Sequence, residues 1–269
     1  MTWIETTSLT FTARHEDADR SYAEELLDRL EDLSLKLEDR FEAVPGEISI
    51  VIHPSAAWLA AAHPFLPFVR FAAAPAGRRY LAGWPMATEV HVLGEKAMEK
   101  RAAGEASSEA LRGTAERLYT QIVLAANNER IPPPWTPSRF LRYLKWAWLV
   151  EGGAQHFARQ VDFFRAAVVR RLREGSRPAF PPSRRDAIIL GGTVFDLLEE
   201  YRGGGACELL VGRLRRDGPT ANLEVAFDLP LREIESMWRE YLRDLTRQRS
   251  DLTTLPSPEE LLGPTQPEP

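Results

Sequence analysis

The spacing of apolar residues predicts strands and one long helix over the first hundred positions. Residues 9–13, 48–52 and 89–93 are short alternating or apolar runs that are typical of strands. From Tyr22 to Phe41, apolar residues recur at steps of three and four, which is the stripe of an amphipathic helix. The N-terminal part is therefore predicted to hold a small mixed sheet packed against a helix.

Beyond residue 100 the same spacing predicts helices alone. One helix is predicted from Ser107 or Ser108, either of which can cap it, to Asn127, before the prolines at 132–134. A second long helix is predicted over residues 142–161. After a basic stretch that ends in prolines, three further helices are predicted over residues 195–201, 208–216 and 231–246.

This order of elements predicts an α+β protein with two lobes. The first lobe covers residues 1–130 and contains the small mixed sheet. The second lobe covers residues 131–249 and is helical. Residues 250–269 are rich in proline and are predicted to be disordered.

Composition and charge narrow the class of protein. The chain has 269 residues, of which 44% are hydrophobic and 27% charged, and its net charge of −5 gives no overall attraction to nucleic acid or to an anionic membrane. The single cysteine, Cys207, rules out an intramolecular disulfide. The N-terminus lacks the features of a signal peptide, and no apolar run is long enough to span a membrane. These features predict a cytoplasmic protein without membrane association, and they leave the oligomeric state open.

Two segments about thirty residues apart carry the candidate chemistry, residues 115–119 and 148–154. Residues four apart on a helix share one face, so the pattern H-E-x-x-H places two histidines on one zinc ion with a general base between them. A glutamate from a following helix supplies the third ligand. In this chain Ala115 and Tyr119 have the spacing of the two histidines, Glu116 has the position of the general base, and Glu151 follows Tyr119 by 32 residues.

With residues 83–93, 111–157 and 195–245, these segments resemble the peptidase MA-like domains, the thermolysin-like or gluzincin type of zinc peptidase. The resemblance implies a zincin-like fold whose metal-ligand positions are Ala115, Tyr119 and Glu151. A methyl group cannot bind zinc, and a phenol with a pKa near 10 is a poor ligand at neutral pH. Because a catalytic zinc site needs three protein ligands, the resemblance implies a domain without zinc or any other cofactor.

The resulting functional prediction is a non-catalytic metallopeptidase-like domain that binds a peptide or protein partner. Tyr119, Trp148, Glu151 and His91 are the predicted binding residues, and a hydrogen bond between Tyr119 and Glu151 is predicted to replace the metal. The alternative is a hydrolase with a rearranged site, in which Glu116 and Glu151 act with the help of His91 or His156.

A third alternative is nucleic-acid binding by residues 139–185, which contain eleven basic and three acidic residues. Aromatic residues in this stretch would suit single strands. The preferred interpretation is that these arginines pair with the acidic helix at residues 24–42, so nucleic acid is not the expected partner.

Overall fold

The N-terminal part folds into a five-stranded mixed sheet, which confirms the α+β class. The computed structural model describes residues 3–63, 66–212 and 218–253. In sheet order β1-β2-β3-β5-β4, the three central strands are parallel, and each edge strand is antiparallel to its neighbour. The strands are β1 Ile4–Thr7, β2 Phe11–His15, β3 Ile48–His53, β4 Gly83–Pro85 and β5 Glu89–Leu93.

Helices make up most of the remaining chain. Within the described residues there are twelve α-helices, and 3-10 turns lie at Asp17–Asp19 and Arg78–Tyr80. None of the described helices combines the length and apolar character needed to cross a membrane. The helices are α1 Arg20–Glu38, α2 Ala56–Ala62, α3 Leu66–Ala72, α4 Glu95–Glu99, α5 Glu105–Arg112, α6 Thr114–Asn127, α7 Pro137–Phe157, α8 Val161–Arg173, α9 Ala187–Arg202, α10 Gly205–Gly212, α11 Pro219–Phe227 and α12 Leu231–Thr253.

Alternation along the strands divides the sheet into two covered faces. Phe11, Ile50 and Val90 are buried on one face, against which α1 and α6 pack. His91 belongs to the opposite face, where α2 contacts β3 and β5. The sheet is thus the middle layer between the long helices and the short ones.

The helix predicted from Ser107 or Ser108 to Asn127 is two helices, α5 and α6, separated at Gly113. The side-chain amide of Gln160 donates to the Gly113 carbonyl at 2.6 Å. A Cβ atom at residue 113 would lie 2.3 Å from the same amide nitrogen, so a larger residue there would displace the Gln160 amide from this hydrogen bond. Apolar spacing carries no sign of this break because both helices continue the buried stripe.

Other boundaries also differ from the prediction. The basic stretch contains a regular helix, α8, and α9 begins at Ala187 rather than at residue 195. Helix α12 extends to Thr253, four residues into the segment predicted to be disordered, and the rest of that segment lies outside the described residues. Residues 213–216 of the predicted helix at 208–216 also lie outside them.

Helices α7 and α9 approach each other closely at a pair of glycines. A Cβ atom at Gly152 would lie 2.4 Å from the carbonyl carbon of Gly191, and one at Gly191 would lie 2.6 Å from the carbonyl oxygen of Trp148. Because neither helix can carry a larger residue at this crossing, α7 is held deep inside the protein. The crossing places the adjacent Glu151 in the core, where it is 5% exposed.

Candidate functional site

Helix α7 delivers Glu151 to the interior from a well-defined start. The Thr136 hydroxyl accepts a hydrogen bond from the backbone N–H of Arg139, and Pro137 occupies the first turn, where its missing N–H costs nothing. From Trp146 to Phe157 every residue of the helix is buried. A carboxylate in such a place must have partners of its own.

Glu151 has a cationic partner and a phenolic partner. Nη1 of Arg117 donates to Oε2 at 3.0 Å, and the Tyr143 hydroxyl donates to Oε1 at 2.8 Å. Nη2 of Arg117 donates to the backbone carbonyl of Tyr80 at 2.9 Å. Burial lowers the pKa of Arg117, and the Glu151 carboxylate opposes this change. Burial also raises the pKa of Tyr143. The group therefore links α6, α7 and the segment before β4 through charge-assisted hydrogen bonds.

Tyr119 faces away from Glu151, and the predicted hydrogen bond between the two is wrong. The Tyr119 hydroxyl donates to the Pro45 carbonyl at 2.9 Å and accepts from Ser34 at 3.0 Å. Its ring lies edge-on to Phe11, with 4.9 Å between the ring centroids. Tyr119 thus fastens α6 to α1 and β2, which is a packing role.

Glu116 does not face Glu151. It directly precedes Arg117, the residue of α6 that contacts Glu151, and consecutive helical residues point about 100° apart. Its Oε1 atom forms an ion pair with Nε of Arg29 in α1 at 2.9 Å. Burial raises the pKa of the Glu116 carboxyl, and the Arg29 guanidinium opposes that change. The two carboxylates of the predicted site therefore have separate cationic partners on different sides of α6.

Arg117 of α6 contacts Glu151, and Arg117, Leu118 and Gln121 are the residues of α6 that line the cavity beside it. Together with Glu151 and Tyr143 they line a small cavity of about 10 Å³ between α6, α7 and β4. Such a cavity has room for about one water molecule. Arg117 and Gln121 have the four-residue spacing of the two histidines in a zinc motif. They lie two positions after the predicted pair, Ala115 and Tyr119.

A zinc ion does not fit these residues. The guanidinium of Arg117 stays protonated at all accessible pH values and has no lone pair to offer a metal. It already occupies the space next to Glu151 with its own positive charge. Among the described residues, no group of three or more His, Cys, Asp or Glu side chains is arranged to hold a metal ion.

Two tryptophans cover the cavity on the side of the sheet edge. Trp84 of β4 stacks on Trp135 with 4.4 Å between the ring centroids. The indole N–H of Trp135 donates to the carbonyl of Pro85 at 2.6 Å, so it occupies an acceptor of the edge strand. An extended peptide that pairs with this edge would have to displace Trp135.

Trp148 and His156 lie elsewhere on α7. Trp148 is buried in the core, and its indole nitrogen has no hydrogen-bond partner among the described residues. Nδ1 of His156 lies 3.6 Å from Oδ1 of Asp196, and its Nε2 lies 3.9 Å from Oε1 of Glu199, both in α9. Neither side chain lines the cavity around Glu151.

His91, a predicted binding residue, belongs to a cluster of three histidines on the far face of the sheet. Its Nδ1 shares a hydrogen bond of 2.9 Å with Nε2 of His53, and its ring contacts that of His63 at a centroid distance of 4.0 Å. Sequence reasoning missed this cluster, although the positions of His53 and His91 in adjacent strands were a usable signal. Burial and neighbouring histidines lower the pKa of His63 and of His91 to about 4.

The arginines of residues 139–185 do not pair with the acidic helix at residues 24–42, so that interpretation is wrong. Within the described chain their ion pairs are Arg165 with Asp162, Arg171 with Asp186 and Arg177 with Glu235. Acidic residues of α1 have other partners. The carboxylate of Glu31, for example, accepts hydrogen bonds from Ser8 and Thr10. A basic groove between α8 and α12 includes Arg173, Arg177, Arg232, Arg239, Arg243 and Arg247.

Comparison with known proteins supplies no relative. None of the protein-family models, curated proteins or solved structures compared with the chain matches it.

Replacing Arg117 is expected to destabilise the protein strongly. In Arg117→Met, Glu151 remains buried without its cation, and we expect unfolding to become easier by about 3–5 kcal/mol. Adding Glu151→Gln should recover much of that loss because the uncompensated charge is removed. Urea denaturation measures both changes, and Arg165→Met, at an exposed ion pair, should cost less than about 1 kcal/mol. A loss below that value in Arg117→Met would contradict the role of the pair.

The histidine cluster should make stability depend on pH. The folded state keeps the imidazoles of His63 and His91 neutral down to a pKa of about 4, whereas the unfolded chain protonates them near 6.5. The free energy of unfolding should therefore fall as the pH drops from about 6.5 to about 4, by at most about 3 kcal/mol for each histidine. The variant His63→Phe/His91→Phe should lose this part of the dependence in urea titrations. Parallel pH profiles for variant and parent would refute the assignment.

Proposed function

We propose that this chain is a peptidase MA-like domain with a zincin-like fold, in which an ion pair stands where a metal ion would be. In this proposal the domain binds a peptide or protein partner and does not catalyse hydrolysis. The observation that carries it is the placement of Arg117, Gln121 and Glu151 around one cavity, two residues four apart on a helix and a glutamate from the next helix.

The surrounding architecture supports the proposal. An antiparallel edge strand, β4, packs beside α6, and α7 brings its glutamate against the same helix. Arg117 places a fixed positive charge next to Glu151, which is the electrostatic role that a metal cation has toward its carboxylate ligand. In this proposal Arg117 connects α6 to α7 as a metal ion would, but it cannot act as a Lewis acid.

Catalysis is disfavoured by the chemistry of the same residues. A hydrolase needs an activated water and space for a scissile bond, and the cavity holds about one water molecule. The side chain at the position between Arg117 and Gln121 that corresponds to a general base is Leu118, which cannot accept a proton. The rearranged hydrolase built on Glu116 and Glu151 is less well supported, because each carboxylate has its own arginine.

Nucleic-acid binding stays a prediction. The surface on which it would depend is the basic groove between α8 and α12, where Glu235 is the one acidic residue among the described residues that line it. The groove is separate from the cavity around Glu151, and neither requires the other.

The arrangement of the metal positions is tested by restoring histidines. The double variant Arg117→His/Gln121→His presents two imidazoles toward Glu151, and we expect it to bind one zinc ion with about micromolar affinity or tighter. Ala115→His/Tyr119→His is the matched control, and it should bind no zinc at this site because its side chains face α1 and β2. Zinc content by elemental mass spectrometry and visible spectra of the cobalt-substituted protein give the readout. One tightly held zinc in the unmodified chain, or zinc bound by the control instead, would overturn the proposal.

Peptide binding is tested by uncovering the edge strand. Trp135→Ala removes the ring that stacks on Trp84 and frees the Pro85 carbonyl. If partners add to β4, peptides selected from a displayed library should bind this variant about tenfold more tightly than the parent, since no ring has to be displaced. Trp58→Ala, which removes an exposed tryptophan of α2, should leave the affinity unchanged. Failure of both the parent and Trp135→Ala to retain any peptide would contradict this mode of binding.

A further inference from the structure

A second, larger cavity lies beside the short helices α2 and α3 and is rich in arginine. It has a volume of about 440 Å³, and its lining includes Arg70, Arg78 and Arg101 together with the apolar residues Leu59, Leu66 and Phe71. We call it the arginine pocket. It opens to solvent next to α3, whereas the cavity around Glu151 is closed by tryptophans.

The three arginines of the pocket have no acidic partner within the part of the chain that the structure describes. No carboxylate lines the pocket among the described residues, and none of the ion pairs formed by those residues includes Arg70, Arg78 or Arg101. In the basic groove, by contrast, Arg177 and Arg239 both pair with Glu235. Three positive charges therefore share one concave site without a compensating carboxylate from residues 3–63, 66–212 or 218–253.

Backbone carbonyls hold two of these guanidinium groups in place. Nε and Nη2 of Arg78 donate to the carbonyls of Ala73 and Phe71 at 3.2 and 3.4 Å. Nη1 of Arg101 donates to the carbonyl of Leu81 at 3.1 Å. These contacts orient the side chains and leave other N–H groups of each fork for a ligand.

The electrostatics of the pocket favour an anion. Burial, and to a smaller extent the neighbouring charge of Arg70, lower the pKa of Arg101 to about 10. An anion between these groups would replace the repulsion between Arg70 and Arg101 by attractions. Arg70 and Arg78 are exposed, whereas Arg101 is half-buried, so its interaction with an anion is stronger than it would be in water.

We propose that the arginine pocket binds a phosphate group. Guanidinium forks match the oxygens of phosphate, and a phosphate monoester carries up to two negative charges, which suits three arginines better than a single carboxylate does. Phe68 and Phe71, both in α3, are 72% and 82% exposed. The phosphate-bearing ligand is therefore expected to carry an apolar part, as a lipid or an apolar phosphate ester does.

The phosphate arm of the test uses inorganic phosphate and the full chain. Isothermal titration at low ionic strength should show saturable binding that chloride at the same ionic strength does not reproduce. Arg70→Gln/Arg78→Gln should weaken this binding about tenfold or more, because charge-assisted hydrogen bonds are lost. Arg79→Gln, which removes the same charge from a residue outside the pocket lining, should change it less than about twofold. Absence of saturable binding, or equal weakening by Arg79→Gln and the double variant, would overturn the proposal.

The vesicle arm distinguishes the two sources of the phosphate group. Sedimentation with vesicles that contain phosphatidic acid, compared with phosphatidylcholine alone, tests a lipid headgroup. Loss of vesicle binding in Phe68→Ser/Phe71→Ser, with inorganic phosphate still bound, would support a lipid ligand. Phosphate binding without vesicle binding would support a diffusing phosphate ester. Vesicle binding that persists in Arg70→Gln/Arg78→Gln would overturn the assignment of the headgroup to this pocket.

Discussion

The buried ion pair between Arg117 and Glu151 is the interaction on which the centre of the molecule depends. It joins α6 to α7, and the second amino group of Arg117 holds the carbonyl of Tyr80 just before β4. Taking two charges out of water is costly, and the cost is offset only when each charged atom finds a partner. Here both oxygens of Glu151 do so, one with Arg117 and one with Tyr143, and both terminal nitrogens of Arg117 donate, whereas its Nε has no partner among the described residues.

The glycine crossing of α7 and α9 makes that pair possible. Because Gly152 touches the backbone of Gly191, α7 lies deeper than a helix with a side chain at that position could. Glu151 consequently reaches Arg117 from within the core, where water is excluded and the ion pair is little screened. Packing of two small residues and pairing of two charges therefore depend on each other.

The sequence predicted the central strands β2, β3 and β5 and the long helix α1, because strand alternation and helical stripes follow directly from burial of one face. It failed where local pattern carries no information. Strand β4 has three residues, too few for alternation to be seen, and the break at Gly113 depends on Gln160, which is distant in sequence. The division into two lobes stays a prediction.

The rotation of α6 was the decisive unknown in the candidate site. All residues from Thr114 to Leu124 are buried, so hydrophobic periodicity could not indicate which of them face Glu151. Glutamate at position 116 suited the motif, and arginine is a residue type that is mostly exposed in folded proteins. The buried carboxylate of Glu151 shows which side of α6 is turned toward α7, since its nearest cation is Arg117. The buried ion pair of Arg117 and Glu151 is thus a feature that could not be recognised from the sequence.

The arginine pocket and the cavity around Glu151 meet at one short segment. The carbonyl of Tyr80 accepts from Arg117, and the carbonyl of the next residue, Leu81, accepts from Arg101. Leu81 also lines both cavities. The two sites therefore adjoin at two neighbouring carbonyls, a connection made by the hydrogen bonds of Arg117 and Arg101. Because β4 begins two residues later, that connection leads directly to the edge at which a peptide would add.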